Sequence, residues 1–78
     1  RQLEVDFVGI TGDKKIYVQV AYKMDDPETM RREYTPLSLI KDSYPKYVVT
    51  MDEFRFPSNN GITHVQAWDF QNELKKQA

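Results

Sequence analysis

The chain has no cysteine, which excludes disulfide stapling and thiolate metal sites and permits a reducing compartment. It also lacks any apolar run near the roughly 18 residues of a membrane span, and no signal-peptide pattern opens it. No membrane association and a cytoplasmic location are therefore expected. An excess of basic charge is missing too. Eleven Lys and Arg stand against twelve Asp and Glu, for a net charge of −1, which argues against a general basic footprint for nucleic acid. There is one histidine, His64. A lone histidine supplies neither a metal set nor a catalytic dyad, so its expected role is structural.

What is present is an ordinary globular composition, 40% hydrophobic and 29% charged over 78 residues. This makes one small domain, near the lower limit for a self-sufficient core, so a homodimer or a covering partner is among the expectations. The chain starts abruptly at Arg1, two residues before a strand, and reads as a piece of a longer protein. No internal repeat or low-complexity segment interrupts it.

Residues Leu3, Val5 and Phe7 alternate with Glu4, Asp6 and Val8, and Ile16, Val18, Val20 and Tyr22 alternate with Tyr17, Gln19 and Ala21. Both runs have the period of a strand. Gly12-Asp13 between them suits a two-residue type II′ turn, because glycine accepts the positive φ required at the first position. That turn sets Thr11 opposite Lys14, and so Phe7 opposite Val18 and Val5 opposite Val20 on one face. On the other face Asp6 meets Gln19 and Glu4 meets Ala21. The acidic and amide residues thus form a cluster, expected on the solvated polar face of alternating strands.

Downstream, Asp25 or Asp26 is the expected N-cap of a helix with Pro27 in its first turn. Met30, Tyr34, Leu37 and Ile40 form its apolar stripe. Pro36 predicts a kink, or a break with Thr35 capping a second short helix. Strands are expected at Lys46–Met51 and Ile62–Gln66, joined by a loop containing "PSNNG". Asp69 is expected to cap a last helix carrying Phe70 and Leu74. The order β-β-α-β-β-α gives an α/β (α+β) fold with a small mixed sheet. Its antiparallel hairpin leads through a crossover helix into a parallel neighbour, and two helices cover the apolar face. Phe54, Phe56 and Trp68 are expected in core or loop packing, and the basic pairs Lys14-Lys15, Arg31-Arg32 and Lys75-Lys76 on solvated faces.

The stretches "EVDFVG" at 4–9, "KKIYVQVAY" at 14–22, "REYTPLSLIKDSYPKYVVTMDEF" at 32–54 and "NNGITHVQAWDF" at 59–70 resemble the C-terminal domain, of uncharacterised function, of a family of bacterial and archaeal AAA+ ATPases. The resemblance implies a restriction-endonuclease-like core lacking its first helix, and an ATPase module upstream in the same chain. It also implies a PD-(D/E)XK pattern, in which Asp6 matches the metal-binding Asp and Gln19 the Glu/Gln position. Glu4 is a further possible oxygen ligand for Mg²⁺. Ala21 stands where that pattern has its lysine. Lys23 and Lys15 share its face, but replacing it even from Lys23, the nearer of the two, requires a displacement of about 6–7 Å along the strand. The chain has no Gly-rich phosphate loop of its own. The expected function is therefore a degenerate, nuclease-like domain that binds DNA or a protein partner without a cofactor. The alternative is a metal-dependent nuclease with a relocated lysine.

Overall fold

The computed structural model describes residues 5–76. Four strands form one mixed sheet in the order β1-β2-β3-β4: β1 Phe7–Thr11, β2 Lys14–Val20, β3 Lys46–Thr50 and β4 Ile62–Gln66. Helix α1, Pro27–Ser38, joins β2 to β3. After β4 a 3₁₀ turn at Ala67–Asp69 precedes α2, Phe70–Lys75. That turn is an addition to the expected order, and the Asp69 side chain makes no capping hydrogen bond to α2. Among the described residues no helix is long and apolar enough to cross a membrane.

The hairpin has the register its turn dictates, with Phe7 opposite Val18 and Thr11 opposite Lys14. Gly12 has φ 61, and Asp13 is not among the positive-φ residues, as a type II′ turn requires. The first strand is nevertheless displaced from its expected span and begins at Phe7. Val5 does not face Val20. It packs instead against the core beneath α1, because the chain turns off the sheet at Asp6. Leu3 and Glu4, with the expected Glu4–Ala21 pairing, lie outside the described residues.

Strands β2 and β3 are parallel, as a crossover helix demands, and β3 and β4 are parallel as well. The loop between β3 and β4 ends in Asn59–Ile62, whose main chains exchange two hydrogen bonds of 2.9 and 3.0 Å. Asn60 and Gly61 both have positive φ there, the type I′ combination that Asn-Gly favours.

The two helices lie on opposite faces, where the sequence had suggested one. Tyr17, Val48 and Ile62 pack with Met24, Tyr34 and Leu37 on the α1 side. Val18, Tyr47, Val49 and Val65 pack with Phe70 and Leu74 on the α2 side. Strand β3 is consequently buried at every position, which its apolar run allows. The result is three layers, helix on sheet on helix.

Helix α1 starts where expected. The Asp26 carboxylate accepts from the Thr29 amide and hydroxyl, both at 2.8 Å, and Pro27 occupies the first turn. Pro36 does not break it. The helix runs on to Ser38 with Pro36 buried, and the Thr35 hydroxyl donates to the Arg31 carbonyl at 2.6 Å. Pro36 lies within the last turn, so its ring removes a single ladder bond just before the helix ends.

A polar tie crosses the α1-side core. Nδ1 of fully buried His64 accepts from the Phe56 amide at 2.9 Å, so Nε2 carries the proton and donates to Thr50 Oγ1 at 2.7 Å. The Thr50 hydroxyl in turn donates to Asp52 Oδ2 at 2.7 Å, and that oxygen also accepts from the Met24 amide at 3.0 Å. Phe56 lies against the His64 ring, whereas Phe54 and Trp68 are exposed and do not pack as expected.

Burial holds the His64 pKa below its ordinary value of 6.5, against the pull of Asp52 and with the help of Arg55. The unfolded chain therefore takes up this proton first as pH falls. His64 contributes stability that is complete above pH 6.5 and is lost progressively below it. Melting temperature measured against pH is expected to decline through that window in the natural chain. His64→Asn, less stable at neutral pH, should show no such decline there.

Candidate functional site

The hairpin's polar cluster forms at the carboxyl end of β2. Asp6 stands just before β1, opposite Gln19, and each side chain serves the other's backbone or its neighbour's. The Asp6 amide donates to Gln19 Oε1 at 3.1 Å, and the Val20 amide donates to Asp6 Oδ2 at 2.9 Å. Side chains thereby take over the main-chain ladder where β1 leaves the sheet, satisfying amides that would otherwise lack partners. Gln19 is buried by this arrangement and Asp6 stays exposed. Gln19 is not on a solvated polar face, because α1 covers it.

Helix α1 adds a residue that the sequence reading missed. Glu33 lies beside Gln19 and Asp6, and its Oε1 is buried with no hydrogen-bond partner. Desolvation, and next the Asp6 charge, raise its pKa above the ordinary 4.5. Arg32, whose Nε is 3.9 Å away, and the Gln19 amide pull the other way. The signal was present in the helical spacing: Glu33 is three residues after Met30 and four before Leu37, on the buried stripe.

Mg²⁺ requires six oxygens in near-ideal octahedral geometry, usually including one or two ionised carboxylates. This cluster offers Gln19 Oε1 and Asp6 Oδ2, each already accepting an amide, and a desolvated Glu33. Among the described residues no three His, Cys, Asp or Glu side chains form a metal-holding group. The described residues do not by themselves complete that shell.

Of the other residues singled out from sequence, Ala21 carries no charge to the lysine position, and its amide bonds to the Val49 carbonyl. Lys23 Nζ lies 5.8 Å from the Tyr22 ring centre. Lys15 Nζ lies over the Tyr17 ring at 5.0 Å, and its pKa is raised mainly by Tyr17. That places it toward the opposite end of β2, among Asp42, Tyr44 and buried Lys46. Asp42 there accepts from the Tyr17 hydroxyl at 2.5 Å and from Lys46 Nζ at 2.9 Å. The Tyr17 bond leads in holding the Asp42 pKa down to about 2. Neither lysine is brought to Asp6 and Gln19. Of the basic pairs, Arg31, Arg32 and Lys76 lie within 4.0 Å of Glu28, Glu33 and Glu73 respectively.

Comparison of the chain with models of protein families, with curated proteins and with solved structures finds no significant match.

Three substitutions test the structural use of the cluster. Asp6→Ala is expected to lower stability by about 1 kcal/mol, since it removes the acceptor for the Val20 amide, while Asp6→Asn retains an acceptor and most of that stability. Chemical denaturation of both variants measures this. Glu33 holds its proton more tightly when folded, so its ionisation opposes folding above pH 4.5. Glu33→Gln should therefore raise the melting temperature at neutral pH and leave it nearly unchanged below pH 4.

Proposed function

We propose that this chain is the nuclease-like C-terminal accessory domain of a cytoplasmic AAA+ ATPase, with a restriction-endonuclease-like core and a degenerate PD-(D/E)XK site. Its work is to bind a partner rather than to cut nucleic acid. The observation that carries this reading is the Asp6–Gln19 clamp. The two residues that match the nuclease pattern spend oxygens on the amides of Asp6 and Val20, and alanine replaces the lysine between them and Lys23. Without that cation, charge developing on a phosphate loses a stabiliser usually worth orders of magnitude in rate.

The partner favoured is protein rather than DNA. The chain carries net charge −1, and acidic neighbours flank Arg31, Arg32 and Lys76, which weakens the counterion release that binding to a phosphate backbone draws on. Exposed apolar side chains, Phe7, Val8 and Ile10 among them, are instead gathered on the hairpin.

Supercoiled plasmid incubated with the protein and Mg²⁺ or Mn²⁺ is expected to stay intact, and the melting temperature should not respond to either ion. A steep rise with Mn²⁺ that Asp6→Ala abolishes, together with nicking lost in Asp6→Asn, would establish the active metal-dependent nuclease in place of the binding module.

A further inference from the structure

The sheet has two edges, and they are treated differently. At β4 the His64 carbonyl accepts from Arg55 Nε at 3.0 Å, and Gln66 donates its side-chain amide to Glu53 O at 3.0 Å. Arg55 is itself held by Glu73 of α2 at 2.7 Å. Charge and loop thus shield that side, in the manner natural sheets use to blunt an edge. At β1 the described residues supply no such device. Its sequence, Phe-Val-Gly-Ile-Thr, has no charge and no proline, and all five residues are exposed. Among the described residues no hydrogen bond reaches its outer side.

The hairpin register states which backbone groups face outward. A two-residue turn makes Thr11 and Lys14 a hydrogen-bonded pair, and such pairs alternate along an antiparallel ladder. Gly9–Ile16 and Phe7–Val18 are therefore the bonded pairs, leaving the N–H and C=O of Val8 and Ile10 pointing away from the sheet. These four groups are two residues apart and centred on Gly9. They form a self-complementary set: a second β1, antiparallel and related by a twofold axis at Gly9, sets Val8 against Ile10 of the other copy at both ends. All four groups of each copy are then satisfied by four hydrogen bonds across the axis.

The side chains suit the same register. On one face Val8 meets Ile10, a pair of β-branched residues of the kind that stabilises cross-strand contacts. On the other face Phe7 meets Thr11, and the two glycines meet at the axis, where opposed Cα atoms are closest, about 4.5 Å. Phe7 there borders an apolar depression of about 350 Å³ lined by Ile16, Val18, Val20, Val49 and Phe70, which α2 leaves uncovered. Asp6 comes opposite Gly12, so no like charges oppose each other across the pairing.

We infer that β1 is a homodimerisation edge, pairing antiparallel with β1 of a second copy about Gly9 to make one continuous eight-stranded sheet. This does not rest on the nuclease-like reading, and the nuclease assay can fail or succeed without touching it. The contact is five residues long on each side, below the size of standard interfaces, so the dimer is weak and visible only at micromolar concentrations or above.

Sedimentation equilibrium of the whole chain across a concentration series tests it. The natural protein should pass from monomer to dimer. Ile10→Pro removes an N–H that points outward and is compatible with an edge strand, and it deletes two of the four intermolecular bonds. It should weaken dimerisation at least about tenfold while leaving the far-ultraviolet circular dichroism of the monomer unchanged. A second variant fixes the register independently. In a chain otherwise free of cysteine, Gly9→Cys should cross-link to itself under mild oxidation, because the paired Cα atoms fall within disulfide range. Thr11→Cys, opposite Phe7, should not. Monomers at every concentration would overturn the inference. So would a dimer that tolerates Ile10→Pro, or one that cross-links equally through Thr11→Cys, since either means another surface or register is used.

Discussion

One buried carboxylate, that of Asp52, ties together segments that hydrophobic packing alone would leave free to slide. It is 5% exposed. It accepts from Thr50 at the end of β3 and from the Met24 amide between β2 and α1, and through Thr50 it reaches His64 on β4. A charged oxygen in such a place costs several kcal/mol unless its hydrogen bonds are made. The network therefore admits one relative placement of these elements. Because each hydroxyl and ring nitrogen has a defined donor or acceptor role, it also admits one tautomer of His64.

With that tie in place the rest of the architecture follows. Met24, fully buried, anchors the entry to α1, and α1 lies across the Tyr17, Val48 and Ile62 side of the sheet. The loop after β3 is held at Phe56 by His64 and closes in the Asn59–Ile62 turn. Arg55 then spans from the β4 main chain to Glu73 on α2, linking the second helix to the same loop. The hairpin is attached less firmly. Its inner strand β2 is buried between the helices at Tyr17 to Gln19, while β1 hangs on the outside, held by its ladder and by the Asp6–Gln19 clamp. The polar cluster and the bare edge both belong to this outer part. Asp6 and Gln19 are occupied with maintaining the strand pair.

The sequence was readable where local chemistry decides conformation. Gly12-Asp13 set the hairpin register through to Phe7–Val18, and Asp26-Pro27 set the start of α1. Glu33 was readable too, since helical spacing puts it with Met30 and Leu37, but an acidic side chain on a buried stripe invites assignment to solvent. Pro36 misled because its effect depends on distance from the helix end: inside the last turn it costs one bond rather than the helix. Gln19 misled in a related way. Alternation showed which face it shares with Tyr17, and its polarity suggested water on that face.

By itself the sequence determined the order of the strands and the two helices, though not the span of β1 or the 3₁₀ turn, together with the register of the hairpin and the absence of thiol chemistry. These follow from turn geometry, side-chain periodicity and composition, all of them local. Tertiary structure alone decided that α1 and α2 take opposite faces, that Val5 leaves the sheet, that His64 is locked through Thr50 to Asp52, and that Gln19 and Asp6 accept from the amides of Asp6 and Val20 rather than remaining open. Each depends on which groups are left without water once distant segments meet, and a buried amide or carboxylate takes whatever partner that meeting supplies.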